Sequence, residues 1–545
     1  MKRNKFLFIS LAVAVGLSSA CKKELNVQNP NQPTVDAAKT ESGIIALAQG
    51  SIYVNGLNSV KFNETGFLAY TATGIQDVMG DIIGGEAANA YLNQLGCPLS
   101  VTLDDGSVIP NPASPARQPD LIRQINTNAQ QSENFIVYEW AYMYNMIAAA
   151  NNLLANIDAI EFASDADTKK ATIQAWAYFW KGYAYSKIGS IYYAGIINNE
   201  AFKTNGNYVT KEAIIAEAGA NLDQAASVLS GISNDAVYTD MMSKIIPGYF
   251  QVGKGGVPSP ANWKRIINTM KARNILVNKT VASMSSGDWT EILNLTADGI
   301  QPDDNVFTVR TNEAGDYISA TTLVAGKTQS NIAGGSTYKL SERWVQEFKA
   351  GDKRKDNNVL ETEHWIGNSD RGNIFNTRYT LVNGGNGAAG VVVYANTEPG
   401  EYEYYLNVTW EENELMMAEA KINSGDIDGG LASVDAVRVD QGAGLPAVSG
   451  TGLTLAQARE ELRRERRVTL SFRGLSFYDA RRWGVIDPIG SGGGRTKAVV
   501  LDNNDVLNTN ATIDYDFLDY WDVPDNELAY NPAADGSAPV KNPKQ

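Results

Sequence analysis

The sequence predicts a mainly α-helical protein: a degenerate tetratricopeptide-like scaffold of helical pairs, with an irregular, loop-rich lobe that contains short β-strands. Two observations carry this prediction. Apolar residues recur at alternating spacings of three and four in several long segments, which is the pattern of amphipathic helices. The segment from Ile300 to Tyr404 is instead rich in Gly, Asn and Thr. The helical segments follow one another in pairs without a fixed repeat length, so the repeat is a loose one.

The predicted helices lie on both sides of this lobe. Ile136, Trp140, Met143 and Ile147 show the helical spacing in one of them. Thr210 precedes another, and its hydroxyl suits the N-cap because it can accept a hydrogen bond from a free backbone N–H of the first turn. The expected elements are helices at Asp36–Tyr53, Ile136–Ile157, Asp167–Ile188, Thr210–Leu229, Pro260–Met284, Asn413–Asn423, Leu431–Val439 and from Leu455 onward, and strands at Arg378–Val382 and Val391–Tyr394.

The length of the chain limits the expected number of domains, and its net charge limits the kinds of ligand. The chain has 545 residues, which is more than one hydrophobic core usually supports, so one large or two interlocked domains are expected. The formal net charge is -15. Such an acidic protein repels polyanions at long range, which argues against nucleic acid as a partner. A neutral or cationic ligand suits this charge better.

The first residues have the features of an export signal. A basic start, Met1–Lys5, precedes the apolar run Phe6–Leu17, which is too short to cross a bilayer that needs about 20 residues. Small residues then lead directly to Cys21, as in a lipobox, where the cysteine is lipidated and becomes the new N-terminus. An ordinary signal peptide that happens to contain a cysteine is the alternative. Only Cys97 remains elsewhere, so no disulfide framework is expected and Cys97 is predicted to be a buried thiol.

These features predict the organisation of the chain and its place in the cell. A polar tether after Cys21 would hold a globular body against a membrane that the chain does not span. Anchoring to a membrane through a lipid on Cys21 is therefore expected. The predicted segments are a signal peptide at 1–20, a lipid-anchored tether at 21–34, a helical scaffold with early ligand-facing loops at 35–299, the loop-rich lobe at 300–405, and C-terminal helical pairs with a closing segment at 406–545.

Motifs that would indicate catalysis or a cofactor are weak. Gly385–Gly390 matches the G-x-G-x-x-G pattern of dinucleotide-binding turns, but that turn must open a helix and a β-type run follows here. A Gly-rich loop is the better interpretation. With His364 as the only histidine, His-clustered metal sites are excluded. No cofactor, metal or catalytic residue is predicted, and the protein is not expected to be an enzyme.

Aromatic residues in polar loops indicate carbohydrate binding, because sugar rings stack their C–H faces on such platforms while Asn, Asp and Arg bond the hydroxyls. For any single ring, packing in a local core is the more common role. Trp344 lies on a helical pattern and is assigned to the core. Trp365, beside Gly367, is the preferred exposed platform.

The densest motif is Glu461–Gly484, in which six arginines bracket Phe472, Arg473 and Tyr478. With it, the chain resembles the SusD/RagB family of outer-membrane nutrient-binding lipoproteins. Thr469 and Arg473 depart from the pattern, which often has Glu at both places. The other segments that carry the resemblance are Cys21 with its tether, Ala171–Gly189, Asn221–Ala225, Phe348–Arg354, Glu414–Leu445 and Trp521–Pro532.

The resemblance implies a lipid-anchored protein that captures oligosaccharide outside the cell and passes it to a TonB-dependent β-barrel transporter of the SusC type. A peptide-binding member of the family and a helical-repeat scaffold for protein partners are the alternatives. By region, the family's ligand sites point to Asp77, Asp81, Tyr91, Tyr317 and Trp365.

The resemblance gives Glu461–Gly484 a structural role rather than a binding role. Arg466 or Arg482 is expected to pair with carboxylates such as Glu465 and Asp479, and Trp483 is expected to fill the core.

Overall fold

Helices dominate the fold, as the sequence predicts. The computed structural model describes residues 39–53, 58–59, 64–65, 73–85, 91–130, 134–310, 338–365 and 375–544. The helices are α1 Glu41–Tyr53, α2 Thr73–Met79, α3 Leu92–Leu95, α4 Gln118–Ile125, α5 Ile136–Asn156, α6 Ala166–Ile191, α7 Lys211–Ser230, α8 Asp235–Ile245, α9 Pro260–Val277, α10 Ser286–Ala297, α11 Glu342–Val345, α12 Lys353–Asn358, α13 Trp410–Asn423, α14 Ile427–Asp440, α15 Leu455–Thr469, α16 Ser476–Arg482 and α17 Asp525–Tyr530.

Successive helices pack as pairs, with α6 against α5 and α7, α9 against α10, and α14 against α13. Their starts follow ordinary capping chemistry. The Thr210 hydroxyl accepts from the backbone N–H of Ala213 at the start of α7, as expected from the sequence. The helix predicted to run from Pro260 to Met284 ends at Val277, and a new helix, α10, begins at Ser286 with a capping box formed by Ser285 and Asp288.

The strands are short and serve mainly to tie loops together. They are β1 Asn58–Ser59, β2 Glu64–Thr65, β3 Ile83–Gly85, β4 Ser100–Thr102, β5 Val108–Pro110, β6 Ala194–Ile196, β7 Tyr208–Thr210, β8 Thr308–Arg310, β9 Tyr338–Leu340, β10 Val359–Trp365, β11 Thr377–Leu381, β12 Glu403–Tyr405, β13 Arg495–Leu501 and β14 Leu507–Asp514. Most form antiparallel pairs: β1 with β2, β3 with β9, β6 with β7, β8 with β12, and β10 with β11. A four-stranded antiparallel sheet has the order β13-β14-β4-β5.

The centre of the core is an aromatic group on α6 and α9. The ring centre of Phe307 lies 5.5 Å from that of Trp176 and 5.2 Å from that of Trp263, both in edge-on geometry. Edge-on rings gain about 0.5–1.5 kcal/mol per pair beyond their buried area. Trp344 is fully buried, as predicted from its helical surroundings, and so is the thiol of Cys97.

One predicted strand is wrong. Val391–Tyr394 follows the Gly-rich loop, and it forms no ladder: the backbone N–H of Tyr394 donates to the Asn358 side chain at 2.8 Å, and that of Val392 donates to the carbonyl of Gln441 at 3.1 Å. The apolar run therefore enters the core as an irregular segment. Gly385, Gly387 and Gly390 have positive φ and open no helix, in agreement with a loop.

The arginine-rich motif forms a buried charge cluster. Asp479 accepts a bidentate pair of hydrogen bonds from Arg466, at 2.9 and 3.0 Å, and one from the Nε of Arg482 at 2.7 Å. The other side of Arg482 holds Glu419 at 2.6 Å. Glu465 accepts from Arg438 at 2.7 Å and also from Arg354 on α12, so α12, α14 and α15 are joined by one carboxylate. The predicted structural pairing of Arg466 and Arg482 with Asp479 therefore forms.

The role predicted for Trp483 is wrong. Its side chain is half-buried rather than in the core, and the guanidinium of Arg482 lies over its ring, 4.7 Å from the centre. It follows α16 as the C-cap residue, where the helix no longer covers it. Trp483 therefore covers a buried ion pair from one side and remains partly exposed.

Among the described residues, no helix combines the length and the apolar character needed to cross a membrane.

Candidate functional site

Asp77 lies on α2, in the interior. Its side chain is 0% exposed and accepts hydrogen bonds from the Ser476 hydroxyl at 2.8 Å and the Gly474 N–H at 3.3 Å. Burial raises the pKa of Asp77 to about 7, against the opposing effect of these two hydrogen bonds. The sequence placed Asp77 among the ligand contacts; the structure instead places it behind a turn, which it holds.

Asp81 is also turned inward. Arg343 donates to both of its oxygens, at 2.8 and 3.0 Å, and the hydroxyls of Ser341 and Tyr515 bond it as well. Burial alone would raise the pKa of Asp81, but Arg343 holds it well below its usual range. All of its strong acceptor directions are used inside the protein, which leaves none for a sugar hydroxyl.

The segments that carry Tyr91 and Trp365 are joined through two strand pairs. β3 pairs with β9, and β10 pairs with β11 so that the backbone of Trp365 faces that of Thr377. Ile83 on β3, Leu92 beside Tyr91, and Thr377 line one small cavity of about 30 Å³. The early loops and the central lobe thus share a face. Tyr91 is half-buried with φ 55°, whereas Tyr317 and the side chain of Trp365 lie outside the described residues.

A larger cavity, of about 260 Å³, opens beside β12, and we refer to it as the β12 cavity. Three half-buried tyrosines line it, Tyr402, Tyr404 and Tyr405, together with Arg473. Burial raises the pKa of each tyrosine, so all three phenols stay neutral and can both donate and accept hydrogen bonds. The volume is close to the lower end of ordinary ligand pockets. The remaining lining residues are Val392, Val393, Tyr394, Glu401, Glu403, Glu411, Gln441, Thr469, Ser471 and Phe472.

Arg473 is the cation of this cavity. Its guanidinium donates to the Thr409 hydroxyl at 2.8 Å, pairs with Glu411 at 3.4 Å, and lies over the Tyr405 ring at 5.0 Å from the centre. Burial alone would lower the pKa of Arg473, but the charge of Glu411 raises it. The cation is therefore permanent, and its flat face backs an aromatic ring.

A strained turn positions Arg473. Phe472 has φ 62°, which is uncommon for a bulky side chain, and its ring is buried against Trp344 and Tyr394. Gly474 has φ 69°, and a Cβ there would come within 2.8 Å of the Gln76 Oε1. Asp77 then fixes the turn by accepting from the Gly474 N–H, so Asp77 supports the cavity from behind.

Asp77 gives a prediction for the pH dependence of stability. The folded state holds its proton more tightly than the unfolded state, whose Asp pKa is about 3.9. This contribution to stability is therefore fully present below pH 4 and is lost as the pH rises towards 7, with a slope of up to about 1.4 kcal/mol per pH unit. We expect the free energy of unfolding of the native chain to fall over this range relative to that of Asp77→Asn, measured by denaturant titration.

Parallel stability curves for the two proteins would contradict that prediction. Asp81 does not interfere, because a carboxyl whose folded pKa is depressed loses its contribution only as the pH falls below about 4.

The sequence interpretation missed the tyrosines of β12 and Gln441. A usable signal was present: residues 401–405 read Glu-Tyr-Glu-Tyr-Tyr, three rings in five residues, ahead of the helix predicted at Asn413–Asn423. No sequence pattern marks Gln441, because its role depends on which atom of its side-chain amide is hydrogen-bonded in the folded protein.

Comparison with known proteins bears on the family. The SusD family model matches residues 412–536. No curated protein matches the chain.

Solved structures resemble the whole chain. A putative sugar binding protein from Bacteroides vulgatus is 17% identical with a TM-score of 0.56, over 92% of this chain and 97% of that one. Surface glycan-binding protein A from Bacteroides fluxus is 14% identical with a TM-score of 0.54, over 94% and 100%. A SusD-like carbohydrate binding protein from Bacteroides fragilis is 15% identical with a TM-score of 0.52, over 84% and 97%.

At these identities the structural likeness establishes the fold. The fold of the chain as a whole and the family match over its C-terminal part agree with the resemblance read from Glu461–Gly484 and its companion segments. Residues 412–536 thus match the SusD family, and the chain as a whole has the fold of the solved SusD-like structures.

Proposed function

We propose that this protein is a cell-surface lipoprotein of the outer membrane that binds oligosaccharide and passes it to a TonB-dependent β-barrel transporter of the SusC type. Cys21 would carry the lipid anchor. The protein acts by binding and not by catalysis, so the energy for uptake comes from the transporter. The solved relatives described as sugar-, carbohydrate- or glycan-binding support the ligand class.

The observation that carries the proposal is the β12 cavity. Tyrosine rings offer flat apolar faces for sugar C–H groups, while neutral phenols and Arg473 offer hydrogen-bond donors to hydroxyls. Asp77 and Asp81 act as supports in this proposal. Tyr91, Tyr317 and Trp365 are proposed as further platforms, on the face where the early loops meet the lobe.

Co-purification tests the proposal as a whole. We expect the full-length protein, solubilised with detergent from its own envelopes, to bring down a β-barrel transporter. The purified complex should bind members of a glycan panel with dissociation constants in the micromolar to millimolar range and leave them intact. Cleavage of a bound glycan would contradict the proposal. Binding of peptides but no glycan would favour the peptide-binding alternative, and capture of a soluble protein alone would favour the scaffold.

Lipidation is tested separately at Cys21. Cys21→Ser is expected to remove acylation, seen by metabolic labelling with a fatty-acid analogue, and to release the protein from the membrane fraction. Cys97→Ser is the matched control, because Cys97 is buried inside the folded body and should leave labelling unchanged. Labelling of Cys21→Ser at the native level would exclude the anchor.

A further inference from the structure

The side-chain amide of Gln441 lines the β12 cavity in a fixed orientation, and its nitrogen has no hydrogen-bond partner among the described residues. Gln441 is 3% exposed, and its Oε1 accepts from the Nη1 of Arg354 at 3.0 Å. The opposite orientation of the amide would place its NH₂ against that guanidinium, donor against donor, so Arg354 sets the orientation. The Nε2 of Gln441 makes no hydrogen bond in the described part of the chain.

The buried charge cluster holds this amide in place. Arg354 also pairs with Glu465, and the Thr469 hydroxyl lies 2.7 Å from the Glu465 carboxylate and 3.1 Å from the Gln441 Oε1. A buried donor without a partner loses the free energy of its hydrogen bonds to water. Gln441 lines the β12 cavity, so an acceptor bound there would supply the partner that its nitrogen lacks.

The charges around the cavity decide what kind of acceptor fits. Two of its carboxylates are neutralised, Glu411 by Arg473 at 3.4 Å and Glu403 by Arg310 at 3.2 Å. Glu401 is exposed and has no ion pair among the described residues. The balance of these five charges is therefore negative.

We propose that the β12 cavity selects neutral glycans over acidic ones, with the Gln441 amide donating to a sugar hydroxyl or ring oxygen and Glu401 repelling uronate and sulfate groups. This inference rests on the proposed glycan-binding function and assigns its ligand class. A neutral oxygen satisfies the unpartnered donor at no electrostatic cost. An anion would gain the same hydrogen bonds but would be repelled by Glu401 and by the net charge of -15 of the whole chain.

Matched glycan pairs test the selection. Short oligomers of pectin, alginate and hyaluronan are compared with their carboxyl-reduced counterparts, which have the same linkages and lengths but no charge. We expect the full chain to bind at least one neutral counterpart about tenfold more tightly than its parent at low salt, with the ratio shrinking as salt screens Glu401. Equal or tighter binding of the acidic parents would overturn the inference while leaving the proposed function intact. Failure of any glycan to bind, charged or neutral, would overturn the proposed function itself.

Two variants test the separate roles of Glu401 in discrimination and of Gln441 in hydrogen bonding. Glu401→Gln, at an exposed position, is expected to reduce the discrimination several-fold, whereas Glu398→Gln, an exposed carboxylate outside the cavity lining, should leave it unchanged. Gln441→Met keeps the side-chain length but removes both donors and should weaken binding of the neutral glycan about tenfold. A folded Gln441→Met protein with native affinity would overturn the role of the amide. If Gln441→Met does not fold, the Glu401→Gln measurement decides: unchanged discrimination overturns the proposal.

Discussion

Replacing Asp479 by alanine is expected to lower the free energy of unfolding by about 3–5 kcal/mol, because it leaves two buried guanidinium groups without their shared carboxylate. Arg466 loses both of its bonds to Asp479, and Arg482 keeps only Glu419. Uncompensated buried charge is among the largest costs that one substitution can cause. Denaturant titration measured by circular dichroism at neutral pH would give the value.

Trp483→Ala is the matched control for this prediction. The ring is half-buried and covers Arg482 from one side, so its removal is expected to cost only about 1 kcal/mol. The informative result is which of the two variants, Asp479→Ala or Trp483→Ala, loses more of the free energy of unfolding. If Trp483→Ala were the more damaging change, Trp483 would be a core residue after all, and the charge cluster would not be the main support of this region.

Replacing Tyr405 by alanine is expected to weaken glycan binding about tenfold, which corresponds to about 1.4 kcal/mol. Tyr405 offers a ring to the cavity and also carries the guanidinium of Arg473 on its face, so the variant removes a platform and loosens the cation beside it. Isothermal titration of the folded variant with a glycan bound by the native chain would measure the change.

Two further variants make the Tyr405 result specific. Tyr405→Phe keeps the ring and should retain most of the affinity if stacking dominates. Tyr530→Ala removes a tyrosine that is 77% exposed on α17 and does not line the β12 cavity, so it should have no effect. Native affinity in Tyr405→Ala would exclude the β12 cavity as the binding site. Tyr91 and Trp365 would then be the candidate platforms for the glycan.

The sequence predicted the helices well because their apolar spacing repeats over many residues. Ile136–Asn156 and Ala166–Ile191 form with ends close to those expected. The same reasoning failed over the few residues of Val391–Tyr394, where side-chain partners replace the strand ladder. Short apolar runs carry little information about backbone hydrogen bonding.

The candidate site was only partly accessible to sequence reasoning. The early loops and the lobe do meet through β3 and β9, and ligand binding at that face stays a prediction. The burial of individual side chains could not be predicted. Asp77 and Asp81 are buried against Ser476 and Arg343, which lie hundreds of residues later in the chain. Trp483 is a similar case, since its burial depends on where α16 ends.

Glycan binding in the β12 cavity is the basis of the proposed function. The most direct measurement is isothermal titration of the full-length, detergent-solubilised protein with a panel of neutral oligosaccharides, with native chain and Tyr405→Ala in parallel and product analysis by chromatography. We expect saturable binding by the native chain, about tenfold weaker binding by Tyr405→Ala, and glycans recovered intact. Binding that is identical in the two proteins, or glycan that is cleaved, would contradict it.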